Sequence, residues 1–151
     1  MNKKIIIICG DPNSINSEII YKTLKKLGKS LRKKITLIGN YNLINSQFNK
    51  LKKKNILVKV KTLNTFTHLN KIKIINIPLK FKNPFKVSAK DSGKYLIKSL
   101  NIAHNLAIKG DVQGIINCPI DKKLISSISK VGLTEFFASK CRVKDNSEVM
   151  L

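Results

Sequence analysis

An α/β fold in three layers, with a mostly parallel sheet covered on both faces, is what this 151-residue sequence predicts. Two observations carry the prediction. Short runs of Ile, Leu and Val alternate along the chain with longer stretches whose apolar residues recur at helical spacing. The change from one period to the other falls at Gly, Pro, Asn and Asp, the residues that make turns. Parallel strands need a crossover between them, and crossover helices cover the faces of the sheet they connect.

Taken in order, "KKIIIIC" reads as a buried strand ending at Cys9. The polar turn "GDPNS" follows, then a helix from about Ile15 to Leu27, with Ile19, Ile20, Leu24 and Leu27 on one face and Gly28 as its stop. Lys34–Asn40 predicts a second strand and Leu43–Lys53 a short helix. Ile56–Lys61 alternates like a half-buried strand, and Lys71–Pro78 reads as another, ended by Pro78. Leu79–Gly93 carries Pro84, Ser88 and Ser92 and reads as a loop. A long amphipathic helix is predicted from about Asp91 to Lys109, with Leu96, Leu100, Ala103 and Ala107 in one stripe and Gly110 behind it. Val112–Pro119 predicts a central strand, Asp121–Ser129 and Thr134–Cys141 two helices, and Ser147–Leu151 the start of a strand.

Composition bounds the function. Hydrophobic residues make up 42% of the chain, enough for a packed core. No apolar run approaches the roughly 18 residues of a membrane span. The run behind the N-terminal lysines is shorter than a signal peptide's core, so a cytoplasmic location is expected, with no membrane partner. Cys9, Cys118 and Cys141 lie far apart and read as buried reduced thiols. The net charge of +22 suggests nucleic acid, yet every basic residue except Arg32 and Arg142 is a lysine. Base and phosphate recognition favours the guanidinium fork. Lysines spread along a chain also rich in Ile and Asn point instead to A/T-rich codons, and no nucleic-acid partner is expected.

Three stretches place chemistry-bearing residues at strand ends or a helix start. "GDPNSINSE" joins a strand to a helix, where an α/β sheet puts ligands and where exposed helix N–H groups favour anions. It lacks the glycine spacing of a nucleotide loop, so spacing alone makes it a structural joint, with Ser14 as a helix cap and Glu18 suited to the helix's positive end. "INCPIDKK" ends a strand at Pro119, with Asp121 as a cap and Lys122 projecting from the next turn. In "VGLTEFFASK", Thr134 reads either as a cap or, with Glu135, as a polar pair at a cleft edge. His68 and His104 have no His, Cys or carboxylate at metal-ligand spacing, and no catalytic Cys–His or Ser–His–Asp pattern is visible.

In sequence order these pieces resemble the 4-hydroxythreonine-4-phosphate dehydrogenase family of vitamin B6 biosynthesis. Gly10, Asp11, Pro12, Ile15 and Glu18 match its opening "GDPAGIGPE", from which Asn13, Ser14, Asn16 and Ser17 depart. Ser88, Ala89, Gly93, Ser99, Leu100, Ala103 and Gly110 match a second block. Pro119, Ile120 and Lys122 match "TAPINK", Gly132–Ala138 is similar to "GHTEFLA", and "EVML" closes the series.

The resemblance implies two α/β/α domains like those of isocitrate and isopropylmalate dehydrogenases, with the active site between them. It makes this chain an N-terminal half: about 1–112 a first domain and 113–151 the start of a second, with the C-terminal half absent. It implies NAD-dependent oxidation of 4-phosphooxy-L-threonine in a homodimer. A divalent metal (zinc, magnesium or cobalt) would be held by three histidines beyond Leu151 and would acidify the alcohol. It makes Thr134 a substrate-binding residue, with Leu133 replacing the histidine of the family's pair, and Glu135, Lys122 and Asp11 weaker candidates. A related dehydrogenase for another phosphorylated or hydroxylated acid, or a basic nucleic-acid-binding module, are the alternatives.

Overall fold

A computed structural model describes residues 4–68, 70–126 and 132–141 of the chain. Five strands, β1 (Ile5–Ile8), β2 (Ile35–Gly39), β3 (Leu57–Val60), β4 (Ile72–Asn76) and β5 (Gly114–Asn117), form one sheet in the order β3-β4-β2-β1-β5. Every pairing is parallel. Ile8 stands level with Ile38 on one side and Asn117 on the other, so the carboxyl ends of the three strands finish together.

The two-residue alternation of the strands divides the interior into two clusters. Ile7, Cys9 and Leu37 face α1 (Asn16–Lys26) and α3 (Tyr41–Lys50), joining Ile20, Leu24, Ile44 and Phe48. Ile6, Ile8 and Ile38 face the other way, against Tyr95, Leu96, Leu100 and Ala103 of α4 (Ala89–Ile108). Ile125 and Phe136 complete that second cluster, the latter from α5 (Leu133–Cys141). Cover on both faces is why "IIII" shows no polar alternation. The expected three-layer α/β architecture is present.

Several details differ from the sequence reading. Gly28 ends α1 but also opens a short helix, α2 (Lys29–Lys34), which has no buried face and so no apolar period to announce it. The α3 helix begins two residues early because the Asn40 side chain accepts the Leu43 N–H at 2.8 Å. No helix separates β3 from β4; the connecting loop crosses one face of the sheet through buried Leu63. The run expected to be a central strand, β5, is an edge strand among the described residues, with Ile116 54% exposed. An uncharged run reports that a strand has faces to cover, not how many neighbours it has.

The predicted helix Asp121–Ser129 is described only as a 3-10 turn, Lys122–Ile125, capped by the Asp121 carboxylate, which accepts the Lys123 N–H at 2.9 Å. Its residues 127–129 and the strand expected at Ser147–Leu151 lie outside the described residues. The strand just past the domain boundary expected near residue 112, β5, pairs with β1. Cys9 and Cys118 are buried free thiols as expected, whereas Cys141 is exposed. No described helix is long and apolar enough to cross a membrane.

Candidate active site

The carboxyl end of the sheet is built around the turn that follows β1. Gly10 takes a left-handed φ of 73°, and a Cβ there would lie 2.6 Å from the Pro119 carbonyl oxygen. Only glycine lets the chain turn this close to the exit of β5. The Asp11 N–H then donates to the Pro119 oxygen at 3.2 Å, and Asn16 Nδ2 donates to the same oxygen at 2.8 Å. Two strand exits, 108 residues apart in sequence as Asp11 and Pro119 are numbered, are thereby joined by one carbonyl.

Two more amides clamp the turn to the loop before α4. Asn13 pairs with the Val87 backbone, accepting its N–H at 2.7 Å and donating to its carbonyl at 2.9 Å. Buried Gln47 donates from Nε2 to the carbonyls of Pro12 and Pro84, at 2.8 and 2.7 Å. The loop's far end is fixed by Ser88, whose hydroxyl accepts the Asp91 N–H while bonding the Asp91 carboxylate at 2.6 Å. Several of the turn's own polar groups are engaged locally. Asp11 Oδ1 accepts the Asn13 N–H at 2.9 Å, Ser14 Oγ accepts the Asn16 N–H at 3.2 Å, and the Ile15 carbonyl takes the Glu18 N–H at 3.0 Å. The helix cap position falls on Ile15, one residue after the expected Ser14. These bonds make the turn a structural joint, while Asn16 Oδ1 and Ser17 Oγ are buried beside it without a hydrogen-bond partner.

The other candidates gather where the 3-10 turn meets the start of α5. The helix begins at Leu133, and the Gly132 carbonyl accepts the Phe136 N–H at 3.1 Å, so Thr134 is its second residue and not its cap. A Cβ at Gly132 would lie 3.1 Å from Glu135 Oε2 and 4.0 Å from Lys122 Nζ. The missing side chain is what lets a carboxylate and an ammonium converge over one residue. Thr134, Glu135 and Lys122 are all exposed there, while Asp11 is half-buried on the β1 exit. Leu133 is half-buried and packs against the α4-side cluster. The 3-10 turn itself rests on α4 at Gly93, where a side chain would meet the Leu124 carbonyl oxygen at 2.7 Å.

Three buried groups near this end of the sheet, Cys9, Cys118 and Tyr95, are held neutral. Burial pushes the Cys9 thiol well above its usual range, with Cys118 adding to the effect. Cys118 is raised to about 11 by burial, and Tyr95 is raised by burial and by Cys9. These are inert core groups, not nucleophiles. One pair the sequence hid is Cys141 with His104, whose Sγ and Nε2 stand 3.5 Å apart while the imidazole stacks on Phe137. Their separation of 37 positions shows no spacing signal. Among the described residues no three His, Cys, Asp or Glu side chains come together as a metal site. Those present do not fit a metal by themselves, with His104 committed to its ring and thiol contacts.

Comparison with known proteins agrees with this architecture. The family model for the pyridoxal phosphate biosynthetic protein PdxA matches residues 29–151. A 4-hydroxythreonine-4-phosphate dehydrogenase of Helicobacter pylori (strain Shi470) is 36% identical over 99% of this chain and 45% of its own length. The chain therefore spans about half the length of the curated relatives it matches. A crystal structure of a 4-hydroxythreonine-4-phosphate dehydrogenase from Burkholderia phymatum superposes with a TM-score of 0.80 at 20% identity, over 93% of this chain and 44% of that one. A terephthalate 1,2-cis-dihydrodiol dehydrogenase from Burkholderia xenovorans shares the fold at a TM-score of 0.64 and 22% identity, covering 91% of this chain and 40% of its own. With the family model covering most of the sequence and a relative this similar along nearly all of it, the chain belongs to the PdxA family of pyridoxal phosphate biosynthetic proteins.

Proposed function

We propose that this chain forms one wall of the active site of an NAD-dependent 4-hydroxythreonine-4-phosphate dehydrogenase. The reaction oxidises the secondary alcohol of 4-phosphooxy-L-threonine to 2-amino-3-oxo-4-phosphooxybutanoate. That 3-oxo acid loses carbon dioxide to give 3-amino-2-oxopropyl phosphate. NAD accepts the hydride, and the enzyme acts as a cytoplasmic homodimer. Its metal ligands come from residues other than those described here.

The observation that carries the reading is the approach of Lys122 and Glu135 to Gly132, with exposed Thr134 in the first turn of the helix that follows, beyond the exit of the strand that Pro119 locks to the opening turn. Ligands of α/β sheets bind outside the carboxyl ends of the strands. In this role the Thr134 hydroxyl orients the substrate by donating to and accepting from its polar groups. The Lys122 ammonium draws its phosphate, with the Glu135 carboxylate near the same glycine. Asp11 lines the rim, its Oδ1 committed to the turn. The chain's +22 charge steers a dianionic substrate toward it.

The test joins this chain to the part of the Helicobacter pylori relative with which it does not align, and follows NADH formation from 4-phosphooxy-L-threonine. The hybrid should turn over, and Thr134→Ala and Lys122→Gln should each raise KM about tenfold, the size of one charge-assisted contact. A hybrid in which both variants keep the parental KM sinks the assignment of this wall.

Leu133 favours a second reading, a dehydrogenase of the same family for another hydroxylated acid. Its side chain packs inward and cannot hydrogen-bond a substrate. Faster turnover of a different hydroxy acid by the same hybrid would select that reading.

A further inference from the structure

At the opposite end of the sheet, where the strands begin, lies a groove of about 880 Å³. Its walls carry Lys4 ahead of β1, Arg32, Lys33 and Lys34 from α2, and Lys71 and Lys73 at the start of β4. Against these six cations the lining offers one carboxylate, Asp111. Strands of four or five residues put this groove roughly 15 Å from the turn at Gly10, so it is separate from the proposed active site.

Cations crowded together repel unless an anion lies among them. Burial and the Lys4 ammonium hold the Lys73 amine below its ordinary range. Arg32 Nε is buried without a hydrogen-bond partner, a loss of solvation that a bound oxyanion would make good. Lys4 and Lys73 lean on neutral oxygens, those of the Asn64 side chain and the Leu63 carbonyl. On the loop that crosses from β3 to β4, Phe66 stands 92% exposed on the groove lining. An aromatic face beside a cationic channel is the arrangement on which nucleobases stack. The groove's volume lies within the range of small-ligand sites.

The geometry points to a nucleoside polyphosphate site at the amino edge of the sheet: the phosphates lie among Arg32, Lys33, Lys71 and Lys73, and the base stacks on Phe66. A free nucleotide is favoured over a nucleic acid strand because the cations line one groove of about 880 Å³ instead of forming a continuous track.

Isothermal titration calorimetry of the chain at low ionic strength, with ATP and with inorganic tripolyphosphate, tests this. ATP should bind saturably at one site, about tenfold more tightly than tripolyphosphate, as one stacked base provides. Phe66→Ala, at an exposed position, should lower ATP affinity to that of tripolyphosphate and leave tripolyphosphate unchanged. Lys33→Gln with Lys71→Gln should weaken both ligands at least tenfold. Lys25→Gln with Lys26→Gln on α1 should weaken neither. Far-UV circular dichroism confirms that each variant keeps its fold. Non-saturating ATP binding, equal losses in the two double variants, or no effect of Phe66→Ala would overturn the proposal. So would tighter binding of a twelve-nucleotide single strand than of ATP, with the same dependence on Lys33 and Lys71.

Discussion

Replacing Gly10 with alanine should cost far more stability than the same change at Gly110. Both glycines have a φ of 73°, so each alanine incurs the left-handed backbone penalty of roughly 1–2 kcal/mol. Around Gly110 nothing lies within 4 Å of the new Cβ, and the penalty stops there. At Gly10 the Cβ would stand 2.4 Å from Asn16 Nδ2, 2.6 Å from the Pro119 oxygen and 2.9 Å from the Cys118 oxygen. Two of these atoms are backbone and cannot rotate aside. Relief requires pulling the turn off β5, which breaks the Asp11 and Asn16 hydrogen bonds to Pro119, each about 1 kcal/mol. The total for Gly10→Ala is about 3–4 kcal/mol, a large share of a typical domain's stability. Urea unfolding of the chain, followed by far-UV circular dichroism, reads both values from the midpoint at constant slope. If the two alanines cost the same within about 0.5 kcal/mol, the joint between β1 and β5 is not held by close contact, and the account of the site's rim fails.

Other outcomes follow from the same geometry. Asn13→Ala removes both hydrogen bonds to Val87 and should cost about 1–3 kcal/mol, with hydrogen exchange at the Val87 amide accelerating well beyond that in the strands. At pH 8 iodoacetamide should modify exposed Cys141 quickly and leave buried Cys9 and Cys118 unmodified in the folded chain; mass spectrometry of the intact protein counts the adducts. The raised Cys9 and Cys118 pKa values make stability fall with alkali. Below about pH 8.5 both thiols are neutral folded and unfolded, and their contribution is fully present. Above it the unfolded chain ionises first, so unfolding should become easier up to about pH 11, the folded value for Cys118. A Cys118→Ser variant should show a shallower decline, and an unchanged slope would remove the thiol from the explanation.

Periodicity made most of the fold legible, because each buried face of β1, β2, α1 and α4 repeats along the chain. The polar scaffolding was not legible. Asn13, Asn16 and Asn40 looked like the product of a codon bias and Gln47 drew no notice, yet each binds a backbone group at least 35 positions away or caps a helix. Such bonds join strand exits that only the folded sheet brings together, so no local pattern marks them. Asn13 and Asn16 are also among the positions that depart from the family's opening motif. The resemblance marked the stretch as important while giving no hint of how these two amides hold it. The candidate residues were located in the same way: Lys122, Thr134 and Glu135 were visible singly, and the approach of Lys122 and Glu135 to Gly132 was not. The placement of β5 at the rim had no signature, since neighbour number leaves none in a single strand's sequence.

The sheet's two described rims are not equally protected. At one, β3 carries Lys59 in the strand and lysines on both flanks, charges that discourage another chain from adding to it. At the other, "GIIN" offers uncharged backbone donors and acceptors with Ile116 standing in water. Among the described residues this is the border open to strand addition, so a lysine substituted for Ile116 should lower any association of the isolated chain at high concentration, as read by sedimentation.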